Sequence, residues 1–245
     1  MANTVWVGQD TEKFFLMSGQ ITSTVKTSGS TTADAQPRGV SYDGINTPWS
    51  GAENNRLYIE SGQFTGTLKS SVESNPPSDA PTDVCWDGVN TPWTGFDVIK
   101  LYLNSGQLTT TVKTSRDCSG DDGEPQGLGH DGVGGNTVWI GSENIGRKIF
   151  VESGQFSGTF RDSLDGSGVD DIPTGAGPDG VNTFWCYQDG GQKLLLQSGI
   201  ITNTVKSSLD VSGNDALPEA VATDDADARL GIGGVTFTPR VAGII

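Results

Sequence analysis

A four-residue motif, Asn-Thr-x-Trp, recurs five times in the 245-residue chain and constrains its fold more than any other feature. The copies are 43 to 46 residues apart and begin at Asn3, Asn46, Asn90, Asn136 and Asn182. A four-stranded blade of a β-propeller needs about 40–50 residues per repeat. The repeat length therefore predicts an all-β fold, a five-bladed β-propeller with four-stranded blades.

Each repeat divides into four segments of strand length, separated by residues that are typical of turns. In one copy the segments are Pro125–Gly132, Asn136–Ile140, Lys148–Glu152 and Gln155–Phe160. The first segment is rich in glycine and other small residues, as a strand beside a crowded central axis must be. We therefore predict that it is the innermost strand of its blade.

Two kinds of glycine turn recur between these segments. Asp-Gly pairs separate strands one and two, with the aspartates at Asp43, Asp87, Asp131 and Asp179. Ser-Gly pairs separate strands three and four, with the serines at Ser18, Ser61, Ser105, Ser153 and Ser198. Glycine supplies the positive φ that a tight hairpin requires. A ring of catalytic carboxylates is an alternative reading of the aspartates, and turn chemistry accounts for them better.

The recurring tryptophans, one in each predicted second strand, admit two interpretations. They could form platforms for sugars, or they could pack between adjacent blades, and we favour packing. The three cysteines, Cys85, Cys118 and Cys186, are odd in number and lie at different places in their repeats. This pattern indicates small buried residues rather than a disulfide framework or a CxxC metal site.

The two ends of the chain predict how the ring closes. A fifth inner-strand segment, Pro218–Asp225, is followed by no Asn-Thr-x-Trp, whereas the first motif at Asn3 has no inner strand before it. Joining these halves makes one blade from both termini and leaves no open sheet edge. We therefore predict a propeller over residues 1–225, with residues 226–245 as a C-terminal tail. The tail is apolar, and it either folds back on its own propeller or docks onto another protein through Val235 and Phe237 by strand addition.

The charge of the chain limits its partners. With 30 acidic and 15 basic residues, the formal net charge is −15, which disfavours nucleic acid and anionic membrane surfaces. The sequence contains no apolar run long enough to span a membrane, so we expect no membrane insertion. Because the first repeat begins within three residues of Met1, we expect no signal peptide and synthesis in a cytoplasm.

The connections between strands two and three vary from repeat to repeat and share one face with the blade-to-blade connections. Varied loops on a rigid repeated scaffold are where binding specificity usually lies. We therefore predict a partner-binding rim on this face, formed by Asp10, Glu12, Glu53, Asn54, Asn55, Phe96, Asp97, Glu143, Asn144 and Asp189.

Evidence for catalysis or a metal is weak. Paired aspartates bracket three blade-to-blade loops, Asp117–Asp122, Asp165–Asp170 and Asp210–Asp215, and could suit calcium. Asx-turns in a solvated acidic loop explain them better. The single histidine, His130, indicates a structural substitution, and Asp83 and Glu219 are the acids of the inner strands. We expect no enzymatic activity, no cofactor and no metal site.

The unit best displayed by Pro81–Ser115 resembles repeats of virion-associated proteins of tailed bacteriophages, and the resemblance covers residues 3–225. It implies a non-enzymatic structural or host-recognition component of a virion, assembled inside the host cell. The plan also resembles five-bladed propeller lectins of the tachylectin kind, whose sugar-binding residues find no match here.

Two functions follow as hypotheses. The first is a structural or adhesion component of a phage tail, fibre or capsid surface, located in the virion after synthesis in the host cytoplasm. Its partners would be other virion proteins, bound through the tail, and a glycan or protein of the host surface, bound through the rim. The alternative is a soluble lectin-like propeller that binds glycans at several equivalent sites and gains avidity from repetition.

Overall fold

The structure is a computed structural model that describes residues 3–74, 80–121, 124–130, 135–141, 148–165, 172–179, 181–187, 191–202 and 204–224. Twenty strands in these residues form five four-stranded antiparallel sheets, and the described chain contains no helix that could cross a membrane. The predicted five-bladed, all-β propeller is confirmed.

The strands follow one another from the axis outwards in each blade. The chain starts blade 1 with β1 (Thr4–Gly8), β2 (Lys13–Met17) and β3 (Val25–Ser30). Blade 2 contains β4 (Pro37–Val40), β5 (Thr47–Gly51), β6 (Arg56–Glu60) and β7 (Leu68–Glu73). Blade 3 contains β8 (Pro81–Val84), β9 (Thr91–Gly95), β10 (Lys100–Asn104) and β11 (Val112–Asp117). Blade 4 contains β12 (Pro125–His130), β13 (Thr137–Gly141), β14 (Lys148–Glu152) and β15 (Phe160–Asp165). Blade 5 contains β16 (Pro173–Pro178), β17 (Asn182–Tyr187), β18 (Lys193–Ser198) and β19 (Val205–Asp210), and β20 (Pro218–Thr223) completes blade 1.

The ring closes as the sequence predicts. Strand β20 pairs antiparallel with β1, in a register that places Thr4 opposite Thr223 and Trp6 opposite Val221. At the end of this pair, the Asn3 amide donates to Asp224 Oδ1 at 2.6 Å. Blade 1 therefore takes its inner strand from the C-terminal part of the propeller, and β1 is not left as an open edge.

The outermost strand lies further along the chain than predicted. The sequence places the fourth strand of blade 4 at Gln155–Phe160, but β15 spans Phe160–Asp165. The intervening residues turn, because Gly154, Phe156 and Gly158 all have positive φ, at 75°, 53° and 70°. Phe156 is nevertheless 8% exposed, so its burial in a turn imitates the pattern of a strand residue.

Glycine lets the inner strands meet backbone to backbone around the axis. A Cβ on Gly175 would lie 2.5 Å from Ala220 Cα, and one on Gly127 would lie 2.6 Å from the Thr174 carbonyl oxygen. Any side chain at these positions would clash with the neighbouring strand, which confirms the prediction of a crowded axis.

The five recurring tryptophans are fully buried and pack against the preceding blade, as predicted. Trp6 clusters with Phe184 and Leu194 of blade 5, and Trp93 clusters with Leu57 and Ile59 of blade 2. Trp49, Trp139 and Trp185 have the same position at the other three interfaces, where they cluster with side chains of blades 1, 3 and 4. Each interface between blades therefore contains one fully buried tryptophan, a large apolar side chain that helps to hold the ring together.

The cysteines are likewise part of this core. Cys85, Cys118 and Cys186 are buried and form no disulfide, as expected from their irregular spacing. Burial raises the pKa of the Cys118 thiol to about 12, with Arg116 opposing the rise. The Cys118 thiol therefore stays protonated at neutral pH, and the three cysteines pack as small apolar residues.

The first two residues of the motif fasten the lower hairpins. Thr47 Oγ1 donates to the Gly62 carbonyl at 2.9 Å, and Thr91 Oγ1 donates to Gly106 at 3.0 Å while it accepts the Leu108 amide at 3.0 Å. The asparagine amide of the motif donates to the aspartate of the Asp-Gly turn, as Asn90 does to Asp87 at 3.2 Å. Asn-Thr is therefore a structural device rather than a binding motif.

The turn aspartates also join neighbouring blades, a role that the sequence analysis missed. Gln63 of blade 2 donates to Asp224 of blade 1 at 3.2 Å, and Gln20 of blade 1 donates to Asp179 of blade 5 at 2.9 Å. Two further pairs of the same kind link Gln107 to Asp43 and Gln155 to Asp87. The Asp-Gly turns have the predicted geometry where they are described, with φ of 94° at Gly44 and 96° at Gly88, while Asp131-Gly132 lies outside the described residues.

A buried ion pair crosses from blade 3 to blade 4. Arg116 Nη1 lies 2.6 Å from Glu152 Oε1, whose side chain is fully buried, and Arg116 Nη2 lies 2.5 Å from Asp121 Oδ2. The guanidinium also sits over the rings of Trp139 and Phe160, at 5.5 Å and 5.0 Å from their centroids. Glu152 Oε1 in turn accepts Trp139 Nε1 at 2.9 Å, so the cluster ties the recurring tryptophan to the ion pair.

Candidate functional site

The two faces of the propeller differ in the connections that they carry. The lower face carries the hairpins that join strands one to two and three to four in each blade. The upper face carries the connections from strand two to three and from each blade to the next, as expected from the antiparallel order. The described chain ends, Asn3 and Asp224, meet on the lower face.

The structure brings seven of the predicted partner-binding residues together on the upper face of blades 1 to 3. Asp10, Glu12, Glu53, Asn54 and Asp97 are exposed, and Asn55 and Phe96 are half-buried. The other predicted residues, Glu143, Asn144, Asp189, Val235 and Phe237, lie outside the described residues.

These upper loops differ in side chains but share a backbone path. The last residue of each loop adopts a left-handed conformation, with φ of 52° at Glu12, 50° at Asn55 and 55° at Ile99. Its carbonyl then accepts an amide from the outer end of the same blade, as Asn55 does from Ser74 at 2.8 Å. Sequence variation on this face therefore changes the chemistry of a fixed frame, as expected of a recognition surface.

Some of the predicted residues also serve this frame. Glu53 Oε2 accepts the Ala35 amide at 3.1 Å, and Asn54 Nδ2 donates to the Ala33 carbonyl at 3.2 Å. Asp97 Oδ2 accepts the Ala80 amide at 3.3 Å. These side chains tie the rim loops to the blade-to-blade connections, and they are less free to bind a partner than their exposure indicates.

Two buried aspartates on the upper face organise the rim loops, and the sequence analysis missed this role. Asp34 is 2% exposed and accepts the amides of Gln36 at 2.9 Å and Asn54 at 3.0 Å. Asp215, also 2% exposed, accepts the amides of Thr11 and Leu217, both at 2.8 Å. The recurring spacing Asp-x-x-Pro before the inner strand is the signal that could have revealed it.

Hydrogen bonds within the chain also occupy some of the aspartates that were considered as calcium ligands. Asp215 is the second carboxylate of one bracketed loop, and its oxygens already accept amide and hydroxyl hydrogens. The first carboxylates form the expected Asx-turns, since Asp210 accepts the Ser212 amide and Asp117 accepts the Ser119 amide, both at 2.9 Å. Hydrogen bonds from the side chain and then the amide of Ser212 lower the pKa of Asp210, and those of Ser119 lower the pKa of Asp117. Asp122 and Asp170 lie outside the described residues.

The fit of Asp34 gives a first testable prediction. A Cβ on Gly51 would lie 2.3 Å from the Asp34 carboxylate, so Gly51→Ala displaces Asp34 from the amides that it holds. We expect the variant to lose about 1–3 kcal/mol of unfolding free energy, despite the usual benefit of alanine over glycine in a strand. Chemical denaturation measures the change. Gly213→Ala is the matched control, because its Cβ would meet nothing within 4 Å, and an equal loss in both variants would contradict the role of Asp34.

A groove of about 220 Å³ opens on the upper face between blades 2 and 3. It is lined by Gln36, Arg38, Ala52, Ala80, Thr82, Phe96 and Gln126. Of the predicted rim residues, Phe96 lies in this groove. Its lining combines an aromatic ring and two small apolar side chains with amide and guanidinium donors, a mixture that suits a partly apolar group carrying a hydrogen-bond acceptor.

Arg38 is the charged group of the groove. It extends from β4, and its Nη1 lies 2.9 Å from Oε1 of Glu219 on β20, which is only 2% exposed. The Arg38 side chain itself is 26% exposed. The buried carboxylate therefore fixes the guanidinium while part of it faces the groove, an arrangement that can hold a carboxylate, carbonyl or hydroxyl oxygen of a ligand.

The position after the inner-strand proline distinguishes this groove from the rest of the ring. Arg38, Thr82 and Gln126 occupy it in blades 2, 3 and 4 and line the groove, whereas blades 5 and 1 have Thr174 and Glu219 there. The variation was visible in the sequence, but nothing local showed that these residues face one another across adjacent blades. The five positions therefore do not form five equivalent sites.

The central channel is largely filled by its own strands. Near its lower end a cavity of about 10 Å³ remains, bordered by residues that include Trp86, His130 and Pro178. His130 is half-buried at the end of β12 and borders this cavity together with Trp86 and Pro178. Asp83, an inner-strand acid, accepts the amides of Val84 and Leu128, both at 2.7 Å, so its carboxylate links two inner strands.

Comparison with known proteins shows the fold alone. No protein-family model matches the chain, and no curated protein matches it. A chain of the crystal structure of a nidogen/laminin complex aligns with a TM-score of 0.60 and 11% identity, covering 92% of this chain and 99% of that one. Glutaminyl cyclase from Myxococcus xanthus aligns with a TM-score of 0.51 and 11% identity, covering 76% of this chain and 69% of that one. At such identity the likeness shows that this chain shares their β-propeller fold.

Proposed function

We propose that the protein is a non-enzymatic adhesion component of a bacteriophage virion, which binds a host-surface protein or glycan with its upper face. The observation that carries the binding role is the groove between blades 2 and 3, where Phe96 and Arg38 lie among the varied rim loops. The resemblance of the repeats to virion-associated proteins supplies the setting. In this proposal, the tail of residues 226–245 attaches the propeller to other virion proteins.

The hydrogen bonding of the repeats supports a scaffold role for most recurring residues. Where the structure describes them, the motif asparagines and threonines, the turn aspartates and the tryptophans contact other parts of the ring. Recurring residues therefore account for stability, and the residues that differ between blades are left to account for recognition. This division is typical of binding modules built on repeats.

The groove favours one main site over several equivalent ones. A lectin that gains avidity from repetition needs the same lining in each blade. Here Arg38 and Phe96 have different residues at the matching positions of the other blades, such as Gln126 and Thr174 in place of Arg38. We therefore favour the adhesion component over the multivalent lectin as the proposed function.

The proposal is tested with particles and with purified protein. Mass spectrometry of purified virions should detect the chain, and the purified protein should bind the envelope fraction of the strain that propagates the phage. Phe96→Ala together with Gln126→Ala should weaken this binding by roughly tenfold, since central aromatic residues often dominate interfaces. Lys113→Ala, at an exposed position of the outer strand β11, is the control and should bind as the wild type does.

Other outcomes decide against the proposal. A glycan array that shows several equivalent sugar sites per chain would favour the lectin. Absence of the chain from virions would remove the proposed setting. Unchanged envelope binding in the groove variant would remove the groove as the site.

A further inference from the structure

The lower face carries a ring of exposed apolar side chains that neither the rim nor the groove explains. Ile45, Val89 and Val181 lie at the tips of the Asp-Gly hairpins and are 73%, 67% and 70% exposed. Beside them, nearer the axis, Tyr42 and Trp86 are half-buried. We refer to these five residues as the lower crown. Hairpin tips are normally polar, so an exposed branched aliphatic at three of them is unexpected.

The hairpins hold the aliphatic tips in a fixed position. The tip amide donates to the aspartate two residues earlier, at 2.7 Å for Ile45 and Val89 and at 2.8 Å for Val181. The aspartates of blades 2, 3 and 5 are further held by glutamines of the next blade. Because the crown is already ordered, the propeller loses little conformational freedom when a partner covers it.

The C-terminal segment leaves the propeller at this crown. Asp224, the last described residue, accepts the amide of Asn3 and the Gln63 side chain of blade 2 on the lower face. Burial raises the pKa of Tyr42, and the carboxylates of Asp43 and Asp224 raise it further, which places Asp224 beside the crown. Residues 225–245 therefore begin next to the exposed apolar ring.

The composition of this segment complements the crown. Residues 228–245 contain Leu230, Ile232, Val235, Phe237, Val241, Ile244 and Ile245. They also contain Arg229 and Arg240 and no acidic residue, in a chain of net charge −15. The crown is ringed by the carboxylates of Asp43, Asp87, Asp179 and Asp224. An apolar, basic segment thus follows a strand that ends beside an apolar surface with an acidic border.

We propose that residues 228–245 bind the lower crown of their own chain. Ten residues beyond Asp224 can reach roughly 33 Å, about the diameter of a small domain, so the segment can cross the ring. A short tether gives it an effective concentration in the millimolar range, which favours its own crown over that of a second copy. Held there, the tail lies on the face opposite the rim, and it can attach the propeller to other virion proteins only when it is released from the crown.

Hydrogen exchange on the full-length chain tests the inference directly. Amides of residues 230–245 are expected to be protected, and the triple variant Ile45→Ser, Val89→Ser, Val181→Ser should increase their exchange rate by roughly tenfold or more. The matched control is Val25→Ser, Leu68→Ser, Val112→Ser, which changes exposed aliphatic residues of outer strands at 38%, 47% and 37% exposure. Equal exchange in the wild type and the crown variant would overturn the proposal.

A second measurement uses Trp86, whose environment differs from that of the five fully buried tryptophans. A synthetic peptide of residues 228–245, added to a chain that ends at Asp224, should shift the tryptophan emission to shorter wavelength. The shift should vanish in Trp86→Phe, and the affinity should fall roughly tenfold in the crown variant. A peptide that leaves the emission unchanged contradicts the inference. Concentration-dependent dimers of the full-length chain in sedimentation would instead assign the tail to a second copy and overturn binding within one chain.

Discussion

A chain that ends at Leu217 is expected to lose cooperative folding, whereas a chain that ends at Asp224 keeps it. The first truncation removes β20, the inner strand of blade 1. It also removes Val221 from the Trp6 cluster and Ala220 from the Trp49 cluster, so two interfaces between blades are damaged at once. The edge of β1 becomes open to pairing with other chains, and aggregation should follow.

The same truncation affects the axis and the groove. Gly175 and Gly177 pack directly against the β20 backbone, and without it a gap opens beside β16. Arg38 loses Glu219, the carboxylate that fixes its guanidinium in the groove. Loss of β20 therefore disrupts both the packing at the axis and the candidate site.

Circular dichroism during heating, with size-exclusion chromatography, distinguishes the two chains. We expect a sharp transition for the chain that ends at Asp224, within a few degrees of the full-length protein. The shorter chain should show no cooperative transition and should elute as aggregates. A shorter chain that melts as the longer one does would show that β20 is dispensable, and closure by the two termini would then not hold the ring together.

The second large effect is expected from Arg116→Met. The substitution leaves the fully buried Glu152 without its cation, and removal of one partner of a buried ion pair typically costs about 3–5 kcal/mol. It also removes the guanidinium from the faces of Trp139 and Phe160. We expect a loss of unfolding free energy in this range at neutral pH, measured by chemical denaturation.

The loss should depend on pH. Burial raises the pKa of Glu152 above its ordinary value, and Arg116 opposes that rise. A raised pKa means that the folded state favours the protonated acid. The stability that Glu152 contributes is therefore fully present below its unfolded pKa of about 4.3, and it is lost as the pH rises through the folded pKa. Removing Arg116 raises the folded pKa further. The deficit relative to the wild type should therefore be largest at neutral pH and should shrink as the pH falls towards about 4.

Two controls separate charge from packing. Arg161→Met makes the same substitution at an exposed position of β15 and should change stability by less than ~0.5 kcal/mol. In the double variant Arg116→Met, Glu152→Gln, the buried charge is gone while Trp139 Nε1 keeps an acceptor, so most of the loss should be recovered. A deficit that is independent of pH and persists in the double variant would point to lost packing instead of the unpaired carboxylate.

The repeat pattern predicted most of the fold because it is set locally. The Asp-Gly and Ser-Gly turns require a positive φ, which is found at Gly44 and Gly62. One tryptophan recurs in the second strand of each blade. The error in the fourth strand also has a local cause. Phe156 is apolar and buried but lies in a turn with φ of 53°, so its sequence pattern looks like that of a strand.

The candidate site was predicted only in part. Of the variable upper loops, one contributes Phe96 to the groove, and the binding of a partner by this face stays a prediction. Arg38 was missed because its significance depends on Glu219, which is distant in sequence and reaches it only when the ring closes. Asp34 was missed for a similar reason. It lies in the connection from β3 to β4, whereas its partner Asn54 lies in the loop between β5 and β6.

The amino-acid sequence by itself determined the number of blades, the place of the tryptophans between them and the closure of the ring by both termini. These properties follow from periodicity and turn chemistry, which act over a few neighbouring residues and repeat. The tertiary structure alone decided which residues meet across blades: the aspartate–glutamine links, the Arg38 groove and the lower crown. The Arg38–Glu219 and aspartate–glutamine contacts join residues more than 40 positions apart, and only the curvature of the closed ring brings them within hydrogen-bonding distance.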